Sequence, residues 1–217
     1  SGALYLASQT SRFHASRTTQ LGSIGVRIAL HDTKKQAEAE GTTVRIFDTG
    51  PHKSVGLWGT DVTPEQAARI ELMVREKYDD FVAAVARGRG LAVDRVRELA
   101  DGRSWRAAEA VGLGLIDKLS TLDETMDALD RGTWDLVLLD PGLDKEPIDV
   151  VESVMKTSFS APVIIVSGSE DSSLRSRASD LGVNDFLKKP VRMDDLSERM
   201  THQLRSYKSA RRRVERS

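Results

Sequence analysis

Residues 120–140, STLDETMDALDRGTWDLVLLD, decide the fold. Leu122, Met126 and Leu129 recur at helical spacing, so TLDETMDALDRG is one amphipathic helix. WDLVLLD (134–140) follows as an apolar run too short for a helix, the pattern of a strand buried on both faces. Downstream the alternation continues. A helix is predicted over Ile148–Lys156, a second buried strand over PVIIVSG (162–168), and a helix over Leu174–Leu181 ending at Gly182. NDFLKKP gives a third, shorter strand, and Met193–Tyr207 a final amphipathic helix. All-apolar strands between helices predict a parallel sheet with helices on both faces.

Upstream of the same helix the texture changes. Thr63-Pro64-Glu65-Gln66 is a helix start, with threonine as cap, proline at the first position and an acid in the first turn. Ala68, Leu72, Val74, Tyr78, Phe81, Val82 and Val85 carry an apolar stripe to about Arg87, where Gly88 and Gly90 close the helix. Short helices are predicted over 32–41, Val93–Ala100 and Arg106–Val111, and strands over IGVRIAL (24–30) and TTVRIF (42–47). The whole reads as α/β, with domains expected at 1–130 and 131–207 and a basic tail at 208–217.

The 217 residues suffice for one large or two small domains. Lys+Arg 32 against Asp+Glu 33 leaves a formal charge of −1, so no nucleic-acid partner is expected; the tail YKSARRRVERS reads as a solvated helix end. The absence of cysteine excludes disulfides, thiolate metal sites and cysteine nucleophiles together. His14, His31, His52 and His202 lack metal-binding spacing, so no metal is expected. No apolar run reaches the roughly 18 residues of a membrane span, and a soluble, cytoplasmic protein is the expectation.

Ser1-Gly2-Ala3 stands before the apolar helix start Leu4-Tyr5-Leu6-Ala7. A serine oxygen there would lie near free backbone N–H groups, which suit a developing oxyanion. LGSIGV (21–26) presents Ser23 in a small-residue turn, and TGPHKS displays Lys53. A lysine serves a serine as general base when burial lowers its pKa, because the amine must be neutral to accept a proton. A free α-amino group on Ser1 would allow a different mechanism, in which that amine is the base.

These residues resemble the signal peptide peptidase A-type Ser/Lys serine peptidases, including the phage capsid-maturation proteases, on a fold similar to ClpP and crotonase. The resemblance runs through SGALYLAS, SRFHAS, LGSIGV, the TGPHK turn, YDDFVAAVARGRGL and DGRSWRAAEAVGLGLID, over about residues 1–130. It implies Ser1 as nucleophile, Lys53 as general base, Ser23 as the hydroxyl that orients the lysine, and the Gly2 backbone N–H as oxyanion donor. It implies hydrolysis of extended apolar or small-residue peptides in a peptide or protein substrate, and ring-like assemblies that leave a homo-oligomer open. Two departures stand out. Gly2-Ala3 replaces the family's Gly-Gly, and the segment that in the family precedes the nucleophile is not in this sequence. Impaired activity is therefore the expectation.

Asp140, Ser167 and Lys189 fall at the C-terminal ends of three successive strands, where α/β sheets place functional groups. With PGL after the aspartate and GVNDFLKKP, they resemble the C-terminal half of a response-regulator receiver, over about 121–207. The resemblance implies Asp140 as phosphoacceptor, Ser167 as switch hydroxyl, Lys189 as phosphate contact and Phe186 as aromatic switch. The receiver's pair of Mg²⁺-holding acids has no counterpart before WDLVLLD, so Mg²⁺ enters only if this site functions. The chain thus reads as a partial ClpP/crotonase-like module joined to a half flavodoxin-like receiver sheet through one shared helix. One continuous α/β core is expected. The reading from another functional class is a non-catalytic scaffold or phospho-signalling module centred on Asp140.

Overall fold

The computed structural model describes residues 2–141, 147–168, 172–189, 191 and 193–214. In chain order its elements are α1 (Gly2–Ala7), β1 (His14–Ala15), β2 (Gln20–Gly22), α2 (Lys34–Ala39), α3 (Pro64–Arg89), α4 (Val93–Leu99), β3 (Ser104–Arg106) and α5 (Ala107–Gly112). Then follow β4 (Lys118–Leu119), α6 (Leu122–Arg131), β5 (Val137–Leu139), α7 (Pro147–Met155), β6 (Val163–Ser167), α8 (Ser172–Asp180), β7 (Asp185–Lys188) and α9 (Met193–Val214). They form two compact units, Ser1–Gly22 with Ser104–Ser217, and Ser23–Arg103.

The first unit is built on the parallel sheet β5-β6-β7, with Leu139 opposite Ile165 and Ser167 opposite Lys188. Every residue of β6 is buried, as an all-apolar central strand requires. Strand alternation sends Ile164 and Val166 to one face and Ile165 to the other. Leu6 of α1 and Leu196 of α9 pack on the first face with Leu187. Ile148 and Val151 of α7 pack on the second with Leu174 and Ala178 of α8. The result is a helix–sheet–helix sandwich in which each fully buried aliphatic side chain contributes about 1.5–3 kcal/mol. The shared helix α6 starts at a capping box, Thr121 accepting from the Glu124 backbone while the Glu124 side chain accepts from the Thr121 N–H.

Two short ladders complete this unit. β1 runs parallel to β4, and β2 antiparallel to β3. Among the described residues neither joins β5-β6-β7, so where the sequence led to one continuous α/β core the described strands form three separate sheets. What joins the two textures is a helix, α1, which sits in the core of the downstream sheet.

The second unit is helical. α3 starts at Thr63 with a full capping box to Gln66 and ends at Gly90, whose φ of 63° is the left-handed turn glycine allows. Phe81, Val82, Ala84, Val85 and Ala86 are buried near the end of α3, which packs against α4 through a core that includes Val96 and Leu99. The predicted stripe is therefore buried only in its last third; Ala68 and Leu72 are exposed.

The strands predicted at 24–30 and 42–47 are absent: both segments are loop. Their composition suits a strand, but strand pairing needs a neighbour to accept the ladder hydrogen bonds. None is supplied among the described residues, and Ile28 and Phe47 are 47% and 95% exposed. Local bonds tie the intervening region instead: Gly59 N–H donates to Thr33 Oγ1 at 2.7 Å and Val62 N–H to Asp32 Oδ1 at 2.8 Å.

Candidate active site

The proposed nucleophile, Ser1, lies outside the described residues. Gly2 begins α1 with open space on its Cβ side, so a side chain there would meet no neighbour within 4 Å. α1 is held firmly behind it. Leu4 and Leu6 are buried, and the Ser8 hydroxyl, fully buried, donates to the Tyr5 carbonyl at 2.8 Å.

Ser23 is exposed and adopts φ 51°, the one left-handed non-glycine among the described residues. Gly22 before it has φ 127°, and the Ser23 N–H donates to the Arg103 carbonyl at 2.7 Å. An L-residue in that conformation costs roughly 1–2 kcal/mol. Strain of this kind is held in place by its surroundings and concentrates where a side chain must be aimed.

Lys53 closes a turn, its N–H donating to the Gly50 carbonyl at 3.1 Å. The Ser54 hydroxyl bonds Asp48 Oδ2 at 2.6 Å across the same turn. The buried Gln66 side chain donates to the Pro51 carbonyl, anchoring the turn to the start of α3. His52 adds a longer contact to Glu65, 3.7 Å. The turn is thus well fixed. Lys53 itself is exposed, where a general base was expected to be buried. In the same unit, a cavity of 570 Å³ is lined by apolar and charged side chains together, among them Ile28, Leu30, Val74, Arg27 and Glu71.

The strand-end residues do converge. Lys189 Nζ donates to Asp140 Oδ2 at 2.5 Å, and the Lys189 N–H donates to the Ser167 carbonyl at 2.8 Å. Ser167 is fully buried. Phe186 instead packs into the α7/α8 face, with the Arg175 guanidinium 6.0 Å from its ring. Among the described residues no group of three or more His, Asp or Glu side chains could hold a metal ion. A carboxylate gripped by an ammonium is not the oxygen-rich donor set that Mg²⁺ demands, so these residues do not fit that ion.

Sequence reading missed one polar pair. The buried Ser120 hydroxyl lies 3.2 Å from His14 Nδ1 across the β1–β4 ladder. Burial holds the His14 pKa below its usual value of 6.5, Lys118 adds to the effect, and Asp117 opposes it. Only the β1–β4 pairing connects two residues 106 apart in sequence.

Comparison with known proteins places these features. Residues 1–134 match Peptidase family S49, and residues 103–201 match the response regulator receiver domain, the two overlapping at 103–134. The chain is 32% identical over 190 residues to slr0021, a protease-named protein of Synechocystis sp., covering 87% of this chain and 64% of that one. It is 31% identical over 131 residues to an Enterococcus faecium protein named for signal peptide peptidase SppA, covering 60% of this chain and 38% of that one. It therefore spans less than two thirds of either relative. Among solved structures, a CheY-like response regulator receiver domain protein from Methanospirillum hungatei JF-1 aligns at 22% identity and TM-score 0.38, covering 44% of this chain and 77% of that one. The chain thus belongs to peptidase family S49, matched over residues 1–134, and its residues 103–201 are similar to the response regulator receiver domain.

Proposed function

We propose that this chain is a serine endopeptidase of Ser/Lys type, acting on extended peptides with small or apolar residues. The observation that carries the reading is the match to Peptidase family S49 over residues 1–134, which takes in Ser1, Ser23 and Lys53. In this scheme the Lys53 amine takes the Ser1 hydroxyl proton as Oγ attacks the scissile carbonyl carbon. The Gly2 N–H stabilises the oxyanion, and the lysine returns the proton to the leaving amine. Water then hydrolyses the acyl-serine by the same route in reverse, and no metal or organic cofactor is required. Ser23, strained into a left-handed turn, orients the lysine. A peptide lying along the 24–30 segment, over the cavity lined by Leu30 and Val74, would add as a strand and seat apolar side chains there.

The test is cleavage of a library of extended peptides by the full chain. Cleavage at small or apolar residues should fall by about 10³-fold or more in both Ser1→Ala and Lys53→Ala. Cleavage indifferent to either substitution would overturn the reading.

For the receiver-like half we infer a scaffold role. Support comes from the described donor set, in which no group of three or more His, Asp or Glu side chains could hold a metal ion. Phosphoryl transfer to a carboxylate relies on metal to neutralise charge. Acetyl phosphate with Mg²⁺ should leave the mass of the peptide containing Asp140 unchanged. A phosphoryl adduct there would restore the signalling reading.

A further inference from the structure

We propose that the receiver-like sheet is the platform that orders α1, the helix opening at Gly2, so that Leu187 and Leu196 act as positioning residues for the peptidase. The proposal rests on the peptidase reading above. It begins from the size of α1. Six residues make too short a helix to persist alone, since isolated helices below roughly 12–15 residues are marginal in water. α1 is therefore ordered by what it packs against. Leu6 is buried in one cluster with Ile164 and Val166 of β6, Leu187 of β7 and Leu196 of α9, with Tyr5 against its edge.

The ownership of these residues is what makes the contact informative. α1 lies within the residues matched to the peptidase family and outside those matched to the receiver domain. Leu187 and Leu196 lie in the receiver range and outside the peptidase range. A peptidase helix therefore fills one layer of the receiver sandwich, beside α9. α1 is closed at its C-terminal end by bonds within its own last turn. Ser8 N–H donates to the Leu4 carbonyl at 2.9 Å, the Ser8 hydroxyl to the Tyr5 carbonyl at 2.8 Å, and the Thr10 hydroxyl to the Ala7 carbonyl at 2.7 Å. A void opened under Leu6 thus moves the helix as a body. Displacing a reacting group by about 1 Å can cost 10²-fold in rate.

The opposite face of the sheet supplies the control. Val151 of α7 and Leu174 of α8 are buried as deeply, but against Ile165 rather than α1. The experiment measures the second-order rate of fluorophosphonate labelling at Ser1 in the full chain, with thermal midpoints recorded for every variant. Leu187→Ala and Leu196→Ala should slow labelling about tenfold or more, whereas Val151→Ala and Leu174→Ala, at comparable loss of thermal midpoint, should stay within about twofold of wild type. Leu196→Met should recover most of the rate, and Leu196→Val serves if Leu196→Ala does not fold. Equal losses from both faces, or loss from neither, would overturn the proposal. If the wild type is not labelled, the peptidase reading fails, and the docking is judged by a thermal double-mutant cycle. Leu6→Ala with Leu196→Ala should then be non-additive, and strict additivity would refute the contact.

Discussion

Ser23 holds a backbone conformation that glycine would adopt without strain, yet it carries a hydroxyl at φ 51°. Ser23→Gly should raise unfolding free energy by about 0.5–1 kcal/mol in urea denaturation, the relief of strain exceeding the added chain entropy. The same variant should cleave peptide more slowly, because the hydroxyl proposed to orient Lys53 is gone. A gain in stability with unchanged activity would reduce Ser23 to a turn residue. His14 sets a pH dependence with a definite sign. Burial keeps its folded pKa below 6.5, so the unfolded chain takes up the proton first as pH falls. The stability this group contributes is complete above 6.5 and is lost on acidification through the lowered folded value. The urea midpoint should therefore drop between about pH 7.5 and about pH 5.5, and His14→Gln should flatten that part of the profile.

At the scale of elements, the caps are local and chemically explicit. Thr63→Ala removes the side-chain half of the α3 capping box and should cost about 1 kcal/mol, read as a shift in urea midpoint at constant m-value. The same explicitness made α3 legible in the sequence, since Thr63, Pro64 and Gly90 mark its ends without reference to the rest of the chain. Strands β5 and β6 were legible because each lies in a nearly continuous apolar run. The segments 24–30 and 42–47 carry the same composition but form no strand, because pairing depends on partners that composition does not specify. The two-residue β1 and β4 fall below the length at which alternation means anything, which is also why the Ser120–His14 pair went unseen.

At the scale of the molecule, the matches to peptidase family S49 and to the response regulator receiver domain overlap at residues 103–134. The convergence of Asp140, Ser167 and Lys189 could be read from strand order alone, because successive parallel strands bring their C-terminal ends together. The separation of the β-structure into three sheets, and the burial of Leu6 under the receiver-like sheet, could not. Both depend on which apolar faces meet, and a helical stripe or a strand face does not name its partner. The account therefore turns on whether the chain carries out the chemistry of its larger family match. Peptide mapping by mass spectrometry after fluorophosphonate treatment of the full chain tests this most directly. The account predicts a covalent adduct on Ser1 that disappears in Lys53→Ala. An unmodified Ser1 in the wild type, or an adduct that persists undiminished in Lys53→Ala, would contradict it.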